Sequence, residues 1–189
     1  MSQGVEKQQR VLDAALQVFG RYGLRRTSMD LIAQAAGVSR PALYQHYAGK
    51  QEIFRAVAER AIDQLIGRAE EVGQATGDVT DRVFRALDLK LEFVAGSVEA
   101  EFRSELLAEV TAVAPDLTRS LKDRHAAVVA AILLTAKDDL PLLGTVLSAH
   151  DAAALLLAAL TGIAQQEEEP DVLRTQLRQL VELTIRSLK

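Results

Sequence analysis

The chain holds 189 residues with a formal net charge of −4, 49% hydrophobic and 25% charged residues, and no cysteine. These proportions belong to a globular protein with a packed core and set aside a disordered or low-complexity chain. The missing cysteines exclude disulfides, thiol nucleophiles and cysteine-ligated zinc, and they fit a reducing compartment.

The net figure conceals an asymmetry. Residues 1–60 carry nine bases against five acids, whereas 61–189 carry thirteen bases against twenty-one acids. A basic front and an acidic remainder point to an anion-binding module joined to a body that does not bind anions. The opening MSQGVEKQQR contains no apolar run, so no secretory signal is expected. The longest uncharged stretches, His125–Ala136 and Ala152–Gln166, fall short of the ~20 residues a membrane span needs. A cytoplasmic protein without membrane association is expected.

Every segment has the helical period, and no alternating strand pattern interrupts it. Val11, Ala15, Val18, Phe19 and Tyr22 mark the buried stripe of a first helix, with Gly23 placed as its left-handed cap. Thr27, three residues before Asp30, offers an N-cap to a short second helix burying Met29, Ile32, Ala33 and Ala36, which Gly37 ends. Ser39 caps a third helix over about 40–46, with Pro41 in its first turn and Leu43 and Tyr47 on one face. A fourth helix begins near Lys50 and keeps its apolar spacing through Val72, with Gly67 as a candidate bend. Its ~23 residues would make a rod of roughly 35 Å. Further helices are expected over about 79–98, 99–113, from Pro115 onward, 148–165 and 170–188. Leu117, Leu121, Val128 and Ile132 form the buried stripe of the third of these, and Asp138–Gly144 is a loop.

The stretch AGVSRPALYQHYAGK, residues 36–50, joins two short helices by a glycine turn, which is the helix-turn-helix pattern. Arg40, Ala42, Tyr44, Gln45 and His46 are left on its outer face. Arginine can fork onto guanine, and alanine lets the backbone approach a thymine methyl. Tyrosine hydroxyls, the helix N-terminal amides near Thr27 and Ser28, and Lys50 suit phosphate oxygens.

The whole run resembles the TetR family of bacterial regulators. The matching residues are Phe19, Tyr22, Gly23, Thr27, Ile32, Ala33, Ala36-Gly37-Val38-Ser39, Leu43-Tyr44, His46-Tyr47 and Lys50 with Ile53-Phe54. Pro41 departs from the small residue common there, and Tyr47 replaces phenylalanine. Beyond residue 60 the likeness is architectural, together with an Asp151…Gly162 pattern like the family's eighth helix. The resemblance implies an all-α fold of about nine helices: a helix-turn-helix DNA-binding domain over 1–50, then a ligand-binding and dimerisation domain over 51–189. It implies phosphate contacts from Thr27, Tyr47 and Lys50, with Tyr44 and His46 as further candidates, and base contacts from Arg40, Ala42 and Tyr44. Ser28 and Ser39, at the two helix starts, complete the expected DNA face. The expected partners are a near-palindromic operator in double-stranded DNA, a second copy of the chain and a small-molecule effector.

In the body, Ala152, Leu155, Leu156, Ala159, Leu160 and Ile163 cover more of their helix than one core stripe needs. With Leu173, Leu177, Leu180, Val181, Thr184 and Leu188 on the last helix, they are the candidate dimer interface. The body holds Phe84, Phe93 and Phe102 but no Tyr or Trp, so an aliphatic effector pocket is expected rather than an aromatic cage. Those three rings and His125 are the candidate lining, with Arg103, Glu92 and His150 as further polar groups. No cofactor and no metal site are expected, because His46, His125 and His150 stand far apart. No phosphate-cradling glycine loop, HExxH or nucleophile elbow is present, so an enzyme is not expected. Two alternatives to a ligand-released repressor remain open: a regulator activated by its ligand, and a helical adaptor using the front module for protein contacts.

Overall fold

The computed structural model describes residues 3–96, 108–166 and 168–189. Among them all regular structure is helical, apart from one isolated bridge between Leu143 and Leu147. The elements are α1 (Gln3–Arg26), α2 (Met29–Ala36), α3 (Arg40–Tyr44), α4 (Lys50–Gln74), α5 (Val79–Gly96), α6 (108–113), α7 (Pro115–Thr135), α8 (Ala149–Ala164) and α9 (Pro170–Ser187). They fall into two compact units. The first takes the chain up to Ile62 together with 108–118, and the second takes Asp63–Gly96 and Arg119–Lys189. The helices α4 and α7 each contribute to both.

In the first unit, Val11, Ala15, Val18 and Phe19 of α1, Met29, Ile32 and Ala33 of α2, Leu43, Tyr47, and Ile53 and Phe54 of α4 form one core. The Phe19 and Phe54 rings meet edge to face, 5.2 Å between centroids, an arrangement that adds to simple burial. Val110 and Val113 pack against this core from α6. Tyr22 departs from the expected stripe. It is exposed, and the Arg21 guanidinium lies 5.4 Å from its ring centroid.

The corner between α1 and α2 also differs from expectation. Gly23 has a positive φ of 71°, but its ψ of 165° is not that of a left-handed cap, and one further helical turn carries α1 to Arg26. The break frees the Leu24 N–H, which donates to the Glu109 carboxylate at 3.2 Å. Thr27 is not the N-cap of α2. That position belongs to Ser28, whose hydroxyl accepts from the Leu31 N–H, while the Thr27 hydroxyl donates back to the Gly23 carbonyl at 2.7 Å. A threonine buried at such a bend satisfies the local carbonyl instead of the next helix.

The second unit packs α5 against α8 and α9, and α8 against α9. α8 starts at the Ser148 cap, which accepts from the Asp151 N–H, and buries Ala149, Ala152, Ala153, Leu156, Leu157 and Leu160. α9 begins with Pro170 in its first turn and buries Leu173, Leu177, Val181 and Ile185. Ion pairs line the surface of the unit. Arg174 reaches Asp88 at 3.1 Å and Glu92 at 2.5 Å, Arg178 meets Asp81, and Arg124 meets Asp63 at 2.6 Å. The Asp138–Gly144 loop opens with a 3-10 turn over Lys137–Asp139, and the Leu142 N–H donates to the Leu188 carbonyl at 3.1 Å. No helix among the described residues is long and apolar enough to cross a membrane.

Candidate nucleic-acid interface

Two local devices hold α3 in place. Gly37 adopts φ 63°, ψ 35° at the end of α2, a left-handed conformation that costs other residues about 1 kcal/mol or more. Its N–H and that of Val38 close on the Gln34 and Ala33 carbonyls. Ser39 then caps α3 by accepting from the Ala42 N–H, and Pro41 occupies the first turn, where no N–H is needed. The helix is shorter than its sequence suggests. It ends at Tyr44, and a turn carries the chain through Gln45 and His46 to Tyr47.

The period of α3 then sorts its side chains. Leu43 and Tyr47 point into the core, with Leu43 only 1% exposed. Ser39, Arg40, Pro41, Tyr44, Gln45 and His46 are exposed, and Ala42 is half-buried. Arg40 donates to the Asp30 carboxylate of α2 at 2.9 Å, and its guanidinium lies 5.5 Å from the Tyr44 ring centroid. Tyr44 first, then Asp30, raise the Arg40 pKa and keep that side chain firmly cationic. Arg40 is therefore pre-aimed along the exposed edge between α2 and α3. Asp30 has no place in the sequence-derived site, where it reads only as part of a cap. Its spacing from Arg40 acquires meaning only when the glycine turn folds one helix across the other.

Three of the expected phosphate ligands face inward. Thr27 is buried with its hydroxyl on the Gly23 carbonyl. Tyr47 is 5% exposed, and its hydroxyl oxygen is buried without a partner. Lys50, half-buried, donates from Nζ to the Leu24, Arg25 and Thr27 carbonyls at 2.8, 3.0 and 2.9 Å. An ammonium has three donors, so Lys50 is fully engaged in closing the α1–α2 corner. Ser28 is exposed at the start of α2.

The other expected sites divide similarly. Of the interface candidates, Leu156, Leu160, Leu173, Leu177 and Val181 are buried within the chain itself, as are Ala152 and Leu188. Leu155 is 60% exposed, and Ala159, Ile163, Leu180 and Thr184 are half-buried. Leu183 and Val172, absent from the expected set, are 65% and 41% exposed. Among the effector candidates, Phe84 and Phe93 are half-buried, and the Arg178 guanidinium lies 3.9 Å from the Phe84 centroid. His125 is fully buried, and His150 is exposed. Glu92 is taken up by Arg174, while Phe102 and Arg103 lie outside the described residues. No cluster of metal-ligating side chains occurs among the described residues.

Residues 11–57 match the family model of bacterial regulatory proteins, tetR family. The chain is 36% identical over 89 residues to the HTH-type transcriptional activator FasR of Mycolicibacterium smegmatis, covering 47% of this chain and 41% of FasR. It is 37% identical over 107 residues to the HTH-type transcriptional regulator AcrR of Shigella flexneri, covering 56% and 47% respectively. The chain thus spans under half the length of these curated relatives. In fold the likeness extends further. A crystal structure from Mesorhizobium loti, described as a TetR-family transcriptional regulator, superposes with a TM-score of 0.77 over 99% of this chain and 98% of that one, at 20% identity.

Proposed function

We propose that this chain, which belongs to the TetR family of bacterial regulatory proteins, reads an operator through α3 and loses its grip when a small, mainly apolar ligand enters the body. The observation that carries the reading is the sorting of α3. Leu43 within the helix and Tyr47 just beyond it anchor the segment in the core, while Arg40 and Tyr44, with His46 in the following turn, are exposed. Arg40, Ala42 and Tyr44 face the bases, and Ser28, Ser39 and His46 face phosphates. Thr27, Tyr47 and Lys50 build the frame behind them. The frame and reader lie within the first 50 residues, and effector binding and pairing are assigned to 51–189.

A second copy of the chain joins through the outward residues of α8 and α9. Leu155, Ala159 and Ile163, and Val172, Leu180, Leu183 and Thr184, recur at helical spacing on the sides left uncovered. A two-fold pair would present two α3 helices to half-sites ~34 Å apart. Ligand binding that changes the tilt of the two α4 helices would break that spacing, and by linkage DNA would weaken the ligand by the same factor.

Selection of bound fragments from random-sequence DNA tests the reading. Binding should fall with salt along a log–log slope of about −0.9 per phosphate neutralised. Arg40→Ala should relax preference at one base position, at a cost of about 1–3 kcal/mol. A shallow salt slope with affinity for acidic proteins would instead identify the adaptor. Release or recruitment by ligand separates a repressor from an activator.

A further inference from the structure

The second unit contains a buried polar atom with nothing to bond. His125 of α7 is fully buried, and its Nε2 stands 2.8 Å from the Ala86 carbonyl of α5. A carbonyl only accepts, so the proton sits on Nε2, and Nδ1 presents a bare lone pair. Nδ1 is buried without a hydrogen-bond partner. Burial first, with the Lys90 charge adding to it, pushes the His125 pKa down to about 4, so the ring is neutral near pH 7. Stranding a buried acceptor is costly, and such groups in native proteins normally find a partner.

The surroundings are cationic. Arg82 near the start of α5 donates to Thr135 at the end of α7 at 2.7 Å, and Ala86 further along reaches His125, so the two helices run antiparallel. Lys90 lies one turn beyond Ala86, and Lys122 lies one turn before His125. The antiparallel register brings these two turns together. Lys90 is half-buried, and its pKa is lowered chiefly by burial and then by repulsion from Lys122. The acids of α5 are engaged elsewhere: Asp81 with Arg178, Asp88 with Arg174, and Glu92 with Arg174 and Arg68. Among the described residues, none of the carboxylates in ion pairs is paired with Lys90 or Lys122. Neighbouring buried positions, Val83, Leu87, Leu91, Val128, Val129 and Ile132, are aliphatic.

We propose that α5 and α7 form the head-group site for an acidic amphiphile, a carboxylic acid on an alkyl tail. Its oxygens lie against Lys90, with Lys122 flanking, and one proton is shared between the acid and Nδ1 of His125. The acid arrives as its anion near pH 7, and one proton from solvent joins the imidazole as it binds, so charge and proton balance. A neutral isostere satisfies neither lysine. This names the effector class of the site proposed above and rests on that reading.

The test uses the full chain labelled at histidine nitrogen, titrated with decanoate and with decanol, the chain having only three histidines. Decanoate should bind about tenfold or more tightly than decanol, as a charge-assisted contact requires. The Nδ1 resonance of His125 should move from that of a bare acceptor to that of a protonated nitrogen, and calorimetry in buffers of different ionisation enthalpy should show proton uptake. Lys90→Met should remove the preference for the acid, and Lys90→Arg should keep it. Equal affinities, an Nδ1 signal unmoved at saturating decanoate, or failure of both probes to bind would overturn the proposal. So would an Nδ1 signal of water contact that decanoate leaves in place, which would mean a buried water only. DNA selection on the same preparations separates the two readings. Retained DNA binding without acid preference removes the acid site alone, and acid preference without DNA binding removes the regulator alone.

Discussion

The α2–turn–α3 segment and the α8–α9 pair are both helix–helix contacts, yet they are built from different kinds of information. The first takes its shape from neighbours in the chain, namely the Ser28 and Ser39 caps, the Gly37 turn and Pro41 in a first turn. It then needs only a few inward residues such as Ile32 and Leu43 to seat it on α1 and α4. The second is held by residues far apart in sequence, with Leu156 and Leu160 buried beside Leu173, Leu177 and Val181. The contrast shows where function can be grafted. A locally capped helix of five residues leaves most of its side chains free for a ligand. A helix held by tertiary burial surrenders its large apolar residues to the core and keeps only its outer rows for a partner.

Core truncations should break the comparison most severely, because both segments then lose what seats them. Leu43→Ala should cost about 3 kcal/mol and abolish DNA binding by releasing α3, read by chemical denaturation and by gel shift. Leu156→Ala should cost a similar ~3 kcal/mol, whereas its neighbour Leu155→Ala should leave the protomer's stability nearly unchanged and weaken pairing instead. Sedimentation at several concentrations distinguishes the two, and equal destabilisation by both would remove α8 from the proposed interface.

Acid should act on the second unit before the first. The His125 pKa is depressed to about 4, so the unfolded chain takes up that proton near pH 6.5 while the folded one refuses it. Stability is present above pH 6.5 and is lost as pH falls toward 4, by up to about 3 kcal/mol. A midpoint in urea that stays flat between pH 7 and 4.5 would contradict the burial of His125.

Lys50→Ala should cost about 2 kcal/mol, since three carbonyls at the α1–α2 corner lose a charged donor. If Lys50 serves as a phosphate ligand instead, the variant would keep its stability and lose only DNA affinity and salt slope. The smallest effect belongs to the cap. Ser39→Ala should lower stability by about 1 kcal/mol and DNA affinity by several-fold, through fraying of α3.

What the sequence reveals of the site is what local interactions fix. Gly37, Ser39, Pro41 and the inward pair Leu43 and Tyr47 follow from the local pattern, because turn angle, cap and period each act within a few residues. The second helix buries the four residues its period predicts. Thr27 against Ser28 was not legible, since both residue types cap helices and the choice depends on Gly23 bending the chain just before them. A lysine beside a reading helix has the chemistry of a phosphate ligand, which is all that the sequence shows of Lys50. Its engagement with carbonyls 23–26 positions earlier is a tertiary fact. Asp30 escaped for the same reason, its partner Arg40 lying across the turn.

By itself the sequence determined an all-helical chain, a basic front carrying a glycine-turned helix pair, and two late helices with more apolar surface than one core needs. Those properties arise from backbone angles, caps, charge counts and the helical period, each of which is set within a turn or two of chain. Only the tertiary structure decided which cations face outward, which leucines of α8 and α9 are buried within the chain, and that His125 holds an unmatched nitrogen in the core. Such outcomes depend on which distant carbonyl, carboxylate or aliphatic side chain arrives alongside, and residue spacing carries no record of that.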